Sequence, residues 1–153
     1  MKGAPQHIKK PHNKTLFIYH LVCPVKYRRD VFTEAVSQTL KTVCLAFGPD
    51  HEIYFLEIGT DENHVHFLLQ TIPSNRFSDI VKKIKSITAK HIFKLHPEVK
   101  TKLWGGHFWT AGYYANTVGN ASMSIIKNYV QNQGLPDYQQ LHSAPAQESL
   151  FTL

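Results

Sequence analysis

Apolar residues along the chain either bunch in short runs or recur at helical spacing, with polar, proline and glycine breaks between them. The run TLFIYHLVCPV (Thr15–Val25) is apolar and β-branched and predicts a strand that ends near Pro24. In VFTEAVSQTLKTVCLAF the residues Val31, Phe32, Ala35, Val36, Thr39, Leu40, Val43 and Phe47 fall on one side of a helix, which Gly48-Pro49-Asp50 stops. Two further runs, EIYFLEIG and HVHFLLQT, flank the polar link Thr60–Asn63 and predict a hairpin over Glu52–Thr71. A second helix follows over Phe77–Leu95, with Phe77, Ile80, Val81, Ile84, Ile87, Thr88, His91 and Ile92 as its inner stripe and Pro97 beyond its end. After a loop over Glu98–Gly106, HFWTAGYYANTV is aromatic and β-prone. A third helix is predicted over about 121–133, with Asn120 as N-cap and Gly134 as its stop.

The order β-α-β-β-α-β plus one helix is that of a ferredoxin-like (RRM-like) α+β fold. Its antiparallel sheet carries two helices on one face and leaves the other open for chemistry or a nucleic acid. The additional C-terminal helix has no place in the basic fold and must pack on the open face, on an edge or on a partner chain. Residues 1–12, polar and with two prolines, are expected to form a loose N-terminal arm. Residues 13–134 are expected to be the working domain, and 135–153, with two prolines and little periodicity, a disordered tail. There is no internal repeat.

A chain of 153 residues suits one domain that buries its apolar surface without staples. It has no apolar run long enough to span a bilayer and no secretory signal at its start, so a cytoplasmic protein is expected. Cys23 and Cys44 do not make a disulfide framework and read as small buried apolar residues. The net charge of +6 favours a polyanionic partner. The basic residues gather as Lys26, Arg28 and Arg29, and as Lys82, Lys83, Lys85 and Lys90; each group is either a solvated face or a set of DNA contacts.

Two features carry candidate chemistry. In His64-Val65-His66 the two imidazoles project from the same face of a strand, a natural cation site, while Val65 and Phe67 enter the core. The plain alternative is two exposed histidines on a sheet surface. Tyr129 lies four residues before Gln133, so both share one face of the last helix. A tyrosine there is either a packing residue or a nucleophile for phosphorus, if a metal polarises the phosphate.

These residues resemble a family. The pair His64 and His66 on a strand, with a downstream Tyr129-x-x-x-Gln133 helix, is similar to the HUH single-tyrosine transposases of small hairpin-ended bacterial insertion sequences, the insertion-sequence-200/605 class. YHLVCPVKYRRDVF (Tyr19–Phe32) resembles that family's opening strand and basic turn, DENHVHFLL (Asp61–Leu69) its metal strand, and LWGGHFWTAGYYANTVG (Leu103–Gly119) its fourth-strand block. The resemblance spans about Asn13–Gly134. It implies that His64, His66 and Gln133 ligate a divalent ion, Mg²⁺ or Mn²⁺, and that Tyr129 attacks single-stranded DNA near a hairpin, keeping the 5′-phosphate. It also implies a homodimer with composite sites, and strand transfer without a nucleotide cofactor. Lys26, Arg28 and Arg29 are then candidate phosphate contacts, with Lys82, Lys83 and Lys85 behind them.

Asp61 and Glu62 either compete as ligands or, the preferred reading, form a solvated turn; His20 and His107 either lie near the site or, the preferred reading, are structural or DNA-contact residues. Trp104, Trp109, Tyr113 and Tyr114 either stack on bases or pack. Competing functions are a single-tyrosine relaxase or replication initiator, a domesticated transposase acting on repeat hairpins, and a non-catalytic module that holds single strands.

Overall fold

A computed structural model describes residues 5–119 together with Asn128 and Gln131. Its elements, in chain order, are β1 (Ile8–Lys10), β2 (Asn13–Thr15), β3 (Phe17–Pro24), α1 (Glu34–Phe47), β4 (Tyr54–Thr60), β5 (His64–Thr71), α2 (Phe77–Leu95) and β6 (Tyr114–Thr117). Strands β4, β5, β3 and β6 lie side by side in that order, and every pairing is antiparallel. This is the expected ferredoxin-like arrangement, with the first and third strands of the motif at the centre. Asn128 and Gln131 have helical backbone, as expected for the C-terminal helix. Among the described residues no helix is long and apolar enough to cross a membrane.

Period-two alternation divides the sheet into two faces. Leu21, Cys23 and Val25 from β3 and its extension, and Val65, Phe67 and Leu69 from β5, join one buried core. Val36, Leu40 and Cys44 of α1 and Ile80, Val81, Ile84 and Ile92 of α2 close over the same core. Burial of each such aliphatic side chain contributes roughly 1.5–3 kcal/mol. His20 and Val22 of β3, and His66, Leu68 and Gln70 of β5, occupy the alternate positions and therefore the opposite face. In β4 a register shift between Phe55 and Glu57 turns Phe55 and Ile58 toward the core and leaves Glu57 opposite Leu68.

Several predicted boundaries shift, each for a local reason. The arm is not loose from Ile8 onward: Ile8–Lys10 pairs with Asn13–Thr15 as a hairpin. Lys10 bonds Glu52, and Gln70 Nε2 donates to the Gln6 carbonyl at 2.8 Å, which ties that hairpin to the sheet. Helix α1 starts after Val31 and Phe32, because Thr33 is its N-cap and accepts from Val36 N–H at 3.2 Å. The amides of Val31 and Phe32 instead reach the Glu62 carbonyl. In α2 the expected span holds at Phe77–Leu95, but His91 points outward. The last strand shrinks to Tyr114–Thr117, since the carbonyls of Thr110, Ala111 and Gly112 turn to Lys85 Nζ and Trp109 keeps only an isolated bridge to Val25.

Gly48 ends α1 without leaving the right-handed helical region (φ −54°, ψ −54°). Its role is close approach. A Cβ there would meet the Ile53 carbonyl oxygen at 2.4 Å and that of Cys44 at 2.9 Å. Gly48→Ala is expected to destabilise the fold by about 1–3 kcal/mol through that overpacking. Helix propensity alone gives the opposite sign, a gain of about 1 kcal/mol. Urea denaturation of the two proteins separates them. Both cysteines are buried, and burial pushes the Cys23 thiol up to about 12 and Cys44 higher still. The thiolate is the reactive form, so neither is expected to react with a thiol reagent at pH 8 until the protein is unfolded. Two fast-reacting thiols in native protein would contradict this packing.

Candidate active site

The open face of the sheet gathers an imidazole cluster. His64 and His66 are two apart on β5, and their ring centroids are 5.1 Å apart. His66 is 2% exposed, whereas His64 is partly exposed. His64 Nδ1 lies 2.9 Å from Asn63 Oδ1. An amide oxygen only accepts, so Nδ1 of His64 is the donor in this contact.

His20, for which the sequence reading ranked a place near the site below a structural or DNA-contact role, sits against it. Its Nε2 is 2.8 Å from His66 Nδ1, and the two rings are near-parallel at 5.0 Å. On its other side His20 Nδ1 lies 3.3 Å from Asn116 Oδ1 on β6. Burial lowers the pKa of His20 to about 4, against the opposing pull of the Asn116 hydrogen bond. His20 is therefore an uncharged ring at neutral pH. The pattern YHLV held a clue: His20 alternates with core residues Leu21 and Cys23 and so shares a face with Val22. Its neighbour His66 is 46 positions away in sequence, and only the β3–β5 register reveals the meeting.

Glu57 lies on the same face and is nearly buried. Gln131 Nε2 donates to Glu57 Oε1 at 2.7 Å, so the C-terminal helix touches this face of the sheet. Tyr129 and Gln133 lie outside the described residues, as do the 135–153 tail and the side chain of Trp104.

The basic groups separate. Lys26, Arg28 and Arg29 form the turn after β3, and that turn abuts the start of the histidine strand. Pro24 pairs with His64, and Val25 N–H reaches the Asn63 carbonyl at 2.8 Å. Tyr27 and Arg28 both adopt positive φ, 58° and 51°, a conformation disfavoured for side-chain-bearing residues. Tyr27 stands 58% exposed, with Lys26 Nζ 5.4 Å from its ring centroid. Lys82, Lys83 and Lys85 instead sit on α2, in the helical layer on the far side of the sheet, beside a cleft of about 610 Å³. His107 and Tyr113 line that cleft, away from the histidine pair. The Lys85 ammonium donates to the carbonyls of Thr110, Ala111 and Gly112, and desolvation lowers its pKa. Trp109 packs in the core, with Nε1–H donating to Thr88 Oγ1 at 3.0 Å. Tyr114 approaches the His20 ring edge-on at 6.3 Å. Asp61 Oδ1 accepts from Glu62 N–H, a local turn contact.

Two imidazoles on one strand face, next to a basic, aromatic turn, make a site suited to a cation and a polyanion together. Residues 13–133 match the family described as "Transposase IS200 like". The chain is 32% identical over 115 residues to the ISDra2 transposase TnpA of Deinococcus radiodurans, covering 75% of this chain and 82% of that one. It is 29% identical over 119 residues to the transposase for insertion sequence element IS200 of Salmonella typhimurium, covering 75% of each. Among solved structures, a transposase crystal structure from Deinococcus radiodurans superposes with a TM-score of 0.69 at 28% identity, over 82% of this chain and 97% of that one. A REP-associated tyrosine transposase bound to a REP hairpin shares the fold, with a TM-score of 0.58 at 12% identity, over 95% of this chain and 80% of that one. The chain belongs to the IS200-like transposase family.

Proposed function

We propose that this transposase cleaves and rejoins single-stranded DNA at insertion-sequence ends, with Tyr129 as nucleophile and a divalent cation held by His64, His66 and Gln133. The observation that carries the reading is the imidazole pair of β5, two residues apart on one strand face with ring centroids 5.1 Å apart, in a chain of this family. Two imidazole nitrogens suit a borderline ion such as Mn²⁺, and the side-chain oxygen assigned to Gln133 extends the set to Mg²⁺. A cation bound there polarises the scissile phosphate and eases departure of the leaving oxygen.

In the proposed reaction the Tyr129 phenol gives up its proton and its oxygen forms a bond to phosphorus. The bond from phosphorus to the 3′ oxygen breaks, and that oxygen leaves as a 3′-OH after gaining a proton. The 5′-phosphate stays on the tyrosine as a phosphodiester. Attack by another 3′-OH reverses the exchange and rejoins a strand. One phosphodiester is traded for another throughout, so no nucleotide cofactor is required. Lys26, Arg28 and Arg29 are proposed to hold the strand backbone, because their turn adjoins the histidine strand. The α2 lysines Lys82 and Lys83 face a separate cleft and are proposed as a second contact, for a subterminal hairpin. The REP-hairpin complex supports the compatibility of this fold with such a ligand. Action as a homodimer, on DNA in the cytoplasm, completes the proposal.

Incubation with labelled single-stranded hairpin DNA from the flanks of the gene, in Mg²⁺ or Mn²⁺, tests the nucleophile on a denaturing gel. Wild type is expected to give a covalent protein–DNA band, and Tyr129→Phe to lose it while still binding the DNA. A covalent band from Tyr129→Phe would exclude Tyr129 as the nucleophile. For the metal, His64→Ala is expected to slow cleavage by about 100-fold or more, since metal stabilisation of the transition state contributes several kcal/mol. Undiminished cleavage by His64→Ala in both metals would reject the ligand assignment.

A further inference from the structure

A ring nitrogen binds a cation only if it carries the lone pair, and a neutral imidazole has one such nitrogen and one N–H. Which nitrogen of His66 is available is therefore decided by what its other nitrogen touches. The structure settles that question through a chain of contacts that begins on β6. Asn116 Nδ2 donates to the Thr117 carbonyl at 3.0 Å, which fixes the orientation of the amide and leaves Oδ1 directed at His20 Nδ1. An amide oxygen accepts, so His20 Nδ1 holds the proton. His20 Nε2 then has the lone pair, and it lies 2.8 Å from His66 Nδ1. That contact is a hydrogen bond only if His66 Nδ1 carries a proton, which puts the His66 lone pair on Nε2.

We propose that His20 and Asn116 are positioning residues that fix the tautomer and ring orientation of His66, so that Nε2 is the atom it offers to the cation. The inference rests on the reading of His66 as a ligand and adds to it two residues from other strands. The three members are held in register by the sheet itself. Val22 pairs with His66, and His20 pairs with Asn116 on its other side. His20 and His66 are 0% and 2% exposed, and Val22 and Leu68 beside them are also buried. Each deletion therefore removes a hydrogen bond from a site where solvent has little access to replace it. His64 obtains the same tautomer by a different route, from its sequence neighbour Asn63.

The test reads the tautomer directly. Full-length protein labelled with ¹⁵N-histidine, free of metal, is examined by long-range ¹⁵N–¹H correlation NMR, and Mn²⁺ binding is then titrated by EPR. Wild type is expected to show His66 as the Nδ1–H tautomer. His20→Phe keeps a buried ring but has no acceptor, and is expected to shift His66 toward Nε2–H and to weaken Mn²⁺ binding about 10- to 100-fold. His20→Gln, whose Oε1 accepts, is expected to restore most of both. An Nε2–H tautomer for His66 in wild type overturns the proposal without any substitution, as does an unchanged tautomer in folded His20→Phe. A wild type with the Nδ1–H tautomer that binds no Mn²⁺ overturns the ligand reading and with it the purpose assigned to these residues. The NMR data separate that failure from a failure of the hydrogen-bond chain itself.

Discussion

The pairing of β3 with β5 is the constraint on which the rest of the molecule depends. It sets Cys23 opposite Val65 and Leu21 opposite Phe67 on the core side, and it sets Val22 opposite His66 on the other. Because side chains alternate with a period of two, a slip of one residue would move both histidines into the helical layer and push Val65, Phe67 and Leu69 out of it. Burial of those apolar residues therefore enforces the orientation of the polar ones. The hydrophobic core supplies the free energy, and the histidine cluster inherits its geometry from the same register.

Much of this was legible in the sequence because local signals agreed with the final packing. The apolar stripe of α2 is regular enough that its span was read without error, and the polar link before His64 marked the hairpin. The features missed depend on residues far apart in sequence. Ile8–Lys10 is short and mostly polar, and its order comes from Glu52 and Gln70 rather than from its own composition. Val31 and Phe32 continue the helical spacing of α1, yet Thr33 caps the helix after them and the Glu62 carbonyl claims their amides. His20 is the plainest case. Nothing in YHLVCP says that its ring will meet His66, because that knowledge resides in strand order and register.

The strand face and the turn beside it divide the work between neutral and charged groups. On the sheet, burial keeps His20 uncharged, and hydrogen-bonding contacts join it to Asn116 and His66. On the turn, Lys26, Arg28 and Arg29 stay at the surface, where charge is cheap to maintain. The strained backbone at Tyr27 and Arg28 holds that surface group at the end of β3, with Val25 N–H anchored on the Asn63 carbonyl. The proposed cation site and the proposed polyanion site thus share one boundary while differing in how far each is removed from water.

Lys85 shows that counting basic residues overstates the charge on offer. Its ammonium already serves three carbonyls of the 110–112 loop, as a fastener between α2 and the segment leading to β6. A DNA hairpin laid along α2 would displace counterions at Lys82 and Lys83, but Lys85 would have to abandon its loop to join them. The dependence of affinity on ionic strength along this helix would then be shallower than three lysines imply, by about 0.9 in the log–log slope for the contact not made. The helix gains a rigid loop and gives up part of its grip in concentrated salt's opposite, the dilute buffer where electrostatic attraction is strongest.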